Sequence, residues 1–154
     1  MGRSSLGLTR CFAKHSQTNS ASQVFLGNRF DANRGLATIE SDRKKSAATY
    51  YYLAAAYQNG PYKRLSEDYS KRFGNQPESP ESKAALENIN KVLDKVIDAY
   101  ARAVALAGND PQQQAAKNQW LARLTDFYKF RHENSDAGLN ELIAGILAKP
   151  LPQP

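Results

Sequence analysis

The most regular apolar pattern in the chain runs through residues 79–108. Apolar side chains recur at Leu86, Ile89, Val92, Leu93, Val96, Ile97, Tyr100, Ala103, Val104 and Ala107. That 3.6-residue period, held over several turns, predicts a long amphipathic helix. Its ends are marked as well. Ser79 is a good N-cap, Pro80 suits the first helical position, and Glu81 favours the positive helix start. Gly108 and Asn109 tolerate a left-handed backbone and are expected to end it.

Upstream, helical spacing is expected from residue 36 to residue 58, with Asp31 or Asn33 as the cap. Tyr50, Leu53, Ala54 and Tyr57 share one face by their i, i+3, i+4, i+7 spacing. Asn59-Gly60 is expected to stop this helix and Pro61 to open a second, with Leu65, Tyr69 and Phe73 on one side and Gly74 at its end. So tight a connection predicts an antiparallel hairpin. Residues 75–80 read as a Pro-containing loop. Downstream, Asp110-Pro111-Gln112-Gln113 repeats the start signal, with Asp110 as cap and Gln113 completing a capping box. The helix it opens runs to about Arg131 on a face of Ala116, Trp120, Leu121, Leu124, Phe127 and Tyr128. A last helix begins at Ser135-Asp136, places Leu139, Leu142, Ile143, Ile146 and Leu147 on its face, and stops at Lys149-Pro150. Five helices with short connections and no plausible strand predict an all-α fold.

Composition changes this picture in one place. The 154 residues carry a formal charge of +6, from 21 Lys and Arg against 15 Asp and Glu. Residues 1–45 hold eight of those cations and three of the acids, so the basic character belongs to the front of the chain. Before Asp31 there is no acid, and Ser, Asn and Gly are frequent. No apolar period persists there. Residues 1–35 therefore read as a disordered basic arm. The same composition over residues 1–30 also fits a mitochondrial-type transit peptide. The organisation expected is an arm over 1–35, a helical domain over 36–149 and a Pro-rich tail over 150–154. No apolar run is long enough to span a membrane. The single cysteine, Cys11, excludes an internal disulfide and a Cys-based zinc site. It fits a reducing compartment such as the cytoplasm.

At Tyr50-x-x-Leu53-Ala54-x-x-Tyr57 the chain resembles the first helix of a tetratricopeptide repeat, a family with a period of about 34 residues. Ile97-x-x-Tyr100-x-x-Ala103, followed by Asn109-Asp110-Pro111, is similar to that family's second helix and terminal turn. The stretch from Phe127 onward resembles the closing part of bacterial tetratricopeptide proteins. The resemblance covers about residues 46–131. It departs from the family in holding fewer than two clean repeats, with a charged helix and a loop between the matching pieces. It implies a right-handed stack of antiparallel helix pairs with a core of Tyr50, Leu53, Ala54, Tyr57, Ile97, Tyr100, Ala103 and Trp120. It also implies a partner-binding groove near Ala48, Tyr51, Ala55 and Gln58. These are not the Lys/Asn set that clamps a peptide carboxylate in chaperone-binding members, so a C-terminal acidic peptide is not the ligand expected in that groove.

Other chemistry is weakly represented. His132 near Glu133 and Asp136 reads as a helix-end residue, and His15 lies in the arm without an obvious partner. Glu67/Lys71, Asp68/Arg72, Glu87/Lys91 and Asp98/Arg102 read as helix-surface ion pairs. No nucleophile elbow or phosphate-cradling glycine run occurs. The expectation is a non-catalytic protein-binding adaptor with no cofactor and no metal. The alternative is a nucleic-acid-binding module that uses the basic arm and the tyrosines interleaved with Lys63, Arg64, Lys71 and Arg72.

Overall fold

The structure, a computed structural model, describes residues 42–152. The arm expected over 1–35, the transit-peptide reading, Cys11, His15, the start of the first helix at 36 and tail positions 153 and 154 lie outside the described residues. A 3-10 turn, Asp42–Lys45, leads into α1 (Ala47–Tyr57). A π turn, Gln58–Tyr62, joins α1 to α2 (Lys63–Phe73). Then follow α3 (Pro80–Ala107), α4 (Gln114–Arg131), α5 (Leu139–Gly145) and a 3-10 turn, Ile146–Ala148. Among the described residues every regular element is helical, and the fold is all-α with five α-helices.

The hairpin expected at Gly60-Pro61 does not form. The chain continues through these residues as one rod from Ala47 to Phe73. In an α-helical interior, Pro61 would collide with the carbonyl four residues back and remove a ladder hydrogen bond. The π register relieves this locally: the Lys63 N–H reaches Gln58 O, five residues earlier. Packing explains why the chain does not turn. Tyr57 before the break and Tyr62 after it are both buried. Tyr62 meets Phe127 of α4 edge-on, with ring centroids 5.7 Å apart. Burying a large side chain contributes about 1.5–3 kcal/mol, so two such residues on one continuous face outweigh a local preference for a corner.

Ring contacts fix the directions of the helices. Tyr51 of α1 stacks on Trp120 near the start of α4, and Tyr62 lies on Phe127 further along both elements, so the rod and α4 run parallel. Tyr100 of α3 stacks on Phe127 at 6.2 Å, whereas Asp94, earlier in α3, pairs with Arg131, later in α4. Thus α3 is antiparallel to both. It is the central element. Ala99, Tyr100, Ala101, Arg102, Ala103 and Val104 are consecutive and all buried, because α1, α4 and the C-terminal segment cover different sides. Small residues at Ala99, Ala101 and Ala103 let neighbouring backbones approach on several faces.

Start signals were realised unevenly. Ser79 caps α3: its Oγ accepts the Ser82 N–H at 3.1 Å, and Ser82 Oγ accepts the Ser79 N–H at 2.9 Å. The expected box at Asp110 is absent. α4 starts only at Gln114. Asp110 instead holds a turn, accepting from the Gln112 N–H through Oδ1 and from the Gln113 side-chain amide through Oδ2. The last helix begins at Leu139, after Gly138 at φ +86°, and not at Ser135. Ser135 Oγ accepts the Ala137 N–H in the preceding turn.

All eight residues expected in the core, Tyr50, Leu53, Ala54, Tyr57, Ile97, Tyr100, Ala103 and Trp120, are buried. On α2 the assignment differs. Leu65, Tyr69 and Phe73 are only half-buried, and the buried side chain is Ser66. Leu147 is exposed because it falls in the 3-10 turn, whose tighter winding takes it off the face of Leu139 and Ile146.

Candidate functional site

Two surface features stand out among the described residues. The first is an aromatic edge where α1 lies beside α4. Three consecutive tyrosines cannot all face one way on a helix, so Tyr50 is buried, Tyr51 half-buried and Tyr52 48% exposed. Tyr51 stacks on Trp120 at 5.2 Å with an interplanar angle of 20°, and its ring lies 5.4 Å from that of Tyr52. Tyr51, Ala55 and Gln58 follow one strip of α1, and all three are half-buried. Gln58 is tied to the core, since its Oε1 accepts the Tyr100 hydroxyl at 2.8 Å. The groove expected from the resemblance omits Tyr52, which enters only among the tyrosines weighed for nucleic acid; three consecutive tyrosines on one helix are the signal that one of them faces outward.

The second feature is a cleft of about 860 Å³ between α3 and the C-terminal segment. From α3 it is lined by Lys91, Asp94, Lys95, Ile97 and Asp98. Tyr128 and His132 close one end; Leu142, Ile146, Lys149 and Pro152 form the opposite wall. This wall is held in place from beneath. Arg102 Nε donates to Asp98 Oδ1 at 2.7 Å, and its Nη2 donates to the carbonyls of Lys149 and Pro150, both at 2.9 Å. Arg102 is only 4% exposed, and its guanidinium also lies 5.9 Å from the Tyr50 ring centroid. The Asp98/Arg102 pair is therefore not the solvated surface pair expected. The spacing along α3 is the same in either case. What differs is the C-terminal strap that folds over it.

The remaining expected pairs are mixed. Asp68/Arg72 and Glu87/Lys91 lie 3.5 and 3.1 Å apart on the surface. Glu67 is nearer Lys63, at 4.0 Å, than the Lys71 partner expected. His132 is exposed at the end of α4, its ring 4.2 Å from that of Tyr128. Burial pushes the Tyr100 phenol well above its usual range, with Tyr51 adding and Arg123 opposing. Burial also raises Tyr50, with Arg102 opposing. Among the described residues no group of three or more His, Cys, Asp or Glu side chains could hold a metal ion. No described helix is long and apolar enough to cross a membrane. No family model matches the chain, and no curated protein or solved structure is significantly similar to it.

Proposed function

We propose that this chain is a non-catalytic protein-interaction module, similar in helix plan to tetratricopeptide repeats, that takes a partner helix or extended segment along the α1–α4 edge. The observation that carries the reading is the exposed Tyr52 beside the Tyr51–Trp120 stack. A rigid aromatic ledge offers a partner a large contact area at little cost in side-chain entropy. The burial of Tyr50, Leu53, Ala54 and Tyr57 against the rest of the bundle supports assigning α1 as a repeat-like first helix. The half-buried Tyr51, Ala55 and Gln58 would form the floor beside it.

Of the tyrosines interleaved with the basic residues, Tyr50, Tyr51, Tyr52, Tyr57, Tyr62 and Tyr69, three (Tyr50, Tyr57 and Tyr62) are buried, and Lys63 and Arg72 have carboxylate neighbours on their own helix. These facts favour a protein partner over a nucleic-acid strand. The test is photo-crosslinking from position 48, exposed on α1 one turn before Tyr52, in the full chain, with Tyr52→Ser as the companion variant. A partner crosslinked at position 48 and lost when Tyr52→Ser is added agrees with the reading. Crosslinks confined to nucleic acid, with steeply salt-dependent oligonucleotide binding, would replace it.

A further inference from the structure

We propose that the cleft between α3 and the C-terminal strap is a second docking site, and that its occupant is an acidic segment of a partner protein carrying aliphatic side chains. This goes beyond the α1–α4 reading and involves different residues. The argument comes from charge complementarity over an apolar floor. Ile97, Leu142 and Ile146 line the cleft, and its volume of about 860 Å³ leaves room for several side chains.

The charges around that floor are unequal once their partners are counted. Asp94 is held by Arg131 at 2.9 Å and Asp98 by Arg102 at 2.7 Å, so both lining aspartates already have a cation. Lys91 has Glu87 at 3.1 Å. Lys95 and Lys149 have no carboxylate within ion-pair distance among the described residues, and they line the cleft from opposite walls. Among the described residues Glu141 is the one lining acid without a cation partner. Counted over those residues, the cleft presents two uncompensated cations against one uncompensated anion. Lys95 is also half-buried, so its ammonium is screened less than that of a freely solvated lysine. An occupant that places carboxylates beside Lys95 and Lys149, and aliphatic groups on Ile97 and Leu142, would satisfy both the charge and the floor. A basic segment would gain only Glu141 and would face both lysines.

The experiment is a selection from a random nonapeptide display library on the immobilised full chain. Enriched peptides are then measured by fluorescence anisotropy. The expected result is enrichment of peptides combining Asp or Glu with Leu, Ile or Val. Their affinity should fall at least tenfold in a Lys95→Glu/Lys149→Glu double variant, and less than twofold in Lys71→Glu, a change on the surface of α2. Tyr52→Ser should leave this binding unchanged, which separates failure here from failure at the aromatic edge. Circular dichroism of the double variant checks that its helices persist; Lys95→Gln/Lys149→Gln, expected to lose at least threefold, replaces it if they do not. The proposal is overturned by enrichment of peptides without acidic residues, by no enrichment, or by acidic peptides indifferent to both double variants. Displacement of the bound peptide by a mixed-sequence oligonucleotide at equal concentration would reassign the cleft to nucleic acid. Self-association abolished by the double variant would reassign it to a second copy of the chain.

Discussion

Replacing Arg102 with leucine tests whether the C-terminal strap is a structural part of the bundle. The wild-type guanidinium makes two charge-assisted bonds to Asp98, at 2.7 and 3.4 Å, and two to the Lys149 and Pro150 carbonyls, and its side chain is 5% exposed. Removing one member of a buried pair costs about 3–5 kcal/mol, because the other is left uncompensated. Two features place this case at the lower end. Asp98 lines an open cleft, and Lys149 and Pro150 are exposed, so water can reach the groups left behind. Leucine retains much of the apolar packing of the arginine stem. The expected loss is therefore about 3 kcal/mol. With a urea dependence of about 1–3 kcal/mol per molar, the unfolding midpoint should fall by about 1–3 M. Fluorescence of Trp120, buried in the bundle and the only tryptophan, follows that transition. Adding Asp98→Leu to Arg102→Leu should recover about 2 kcal/mol of the summed single losses, since no charge then remains unpaired. Amide exchange at Lys149 and Leu151 should quicken in both variants, while Ile146, fully buried, keeps its place. A loss under about 1 kcal/mol in Arg102→Leu, or strict additivity of the two changes, would refute the reasoning.

Three further outcomes follow from particular residues. Gly145→Ala should stabilise the chain by about 0.4–1 kcal/mol, read as a higher Tm, because its φ of −97° suits alanine, a Cβ there meets no atom within 4 Å beyond its chain neighbours and its own helix, and the unfolded chain loses freedom. Leu124→Ala, at a fully buried position of α4, should cost about 2–5 kcal/mol in urea unfolding, through lost transfer energy and the cavity left behind. Stability should be complete below about pH 10 and decline as pH rises above it. Tyr50 and Tyr100 hold their protons in the fold to higher pH than in the unfolded chain, so the unfolded state releases protons first. Absorbance at alkaline pH should show tyrosinate forming in two phases, the later one coincident with the change in Trp120 emission; a single phase complete before unfolding would contradict the burial of these rings.

Helix identity and the apolar faces of α3 and α4 could be read from the chain itself, because a 3.6-residue repeat sustained over many turns has no other regular solution. The capping serine at Ser79 was readable for the same kind of reason: its partners lie three residues away. Local signals failed where distant residues outvoted them. Asn59-Gly60-Pro61 has the composition of a corner, yet Tyr57 and Tyr62 are drawn onto one continuous face, and a π turn absorbs the proline. Asp98/Arg102 has the spacing of a surface pair, and only the return of residues 146–152 over α3 makes it an internal clamp. The cleft is likewise invisible in sequence, since its two unpaired lysines lie 54 positions apart and meet only across that strap. Periodicity and capping act within a few residues and are written directly in the chain; which face is covered, and by what, depends on contacts between segments far apart, which only the packed bundle decides.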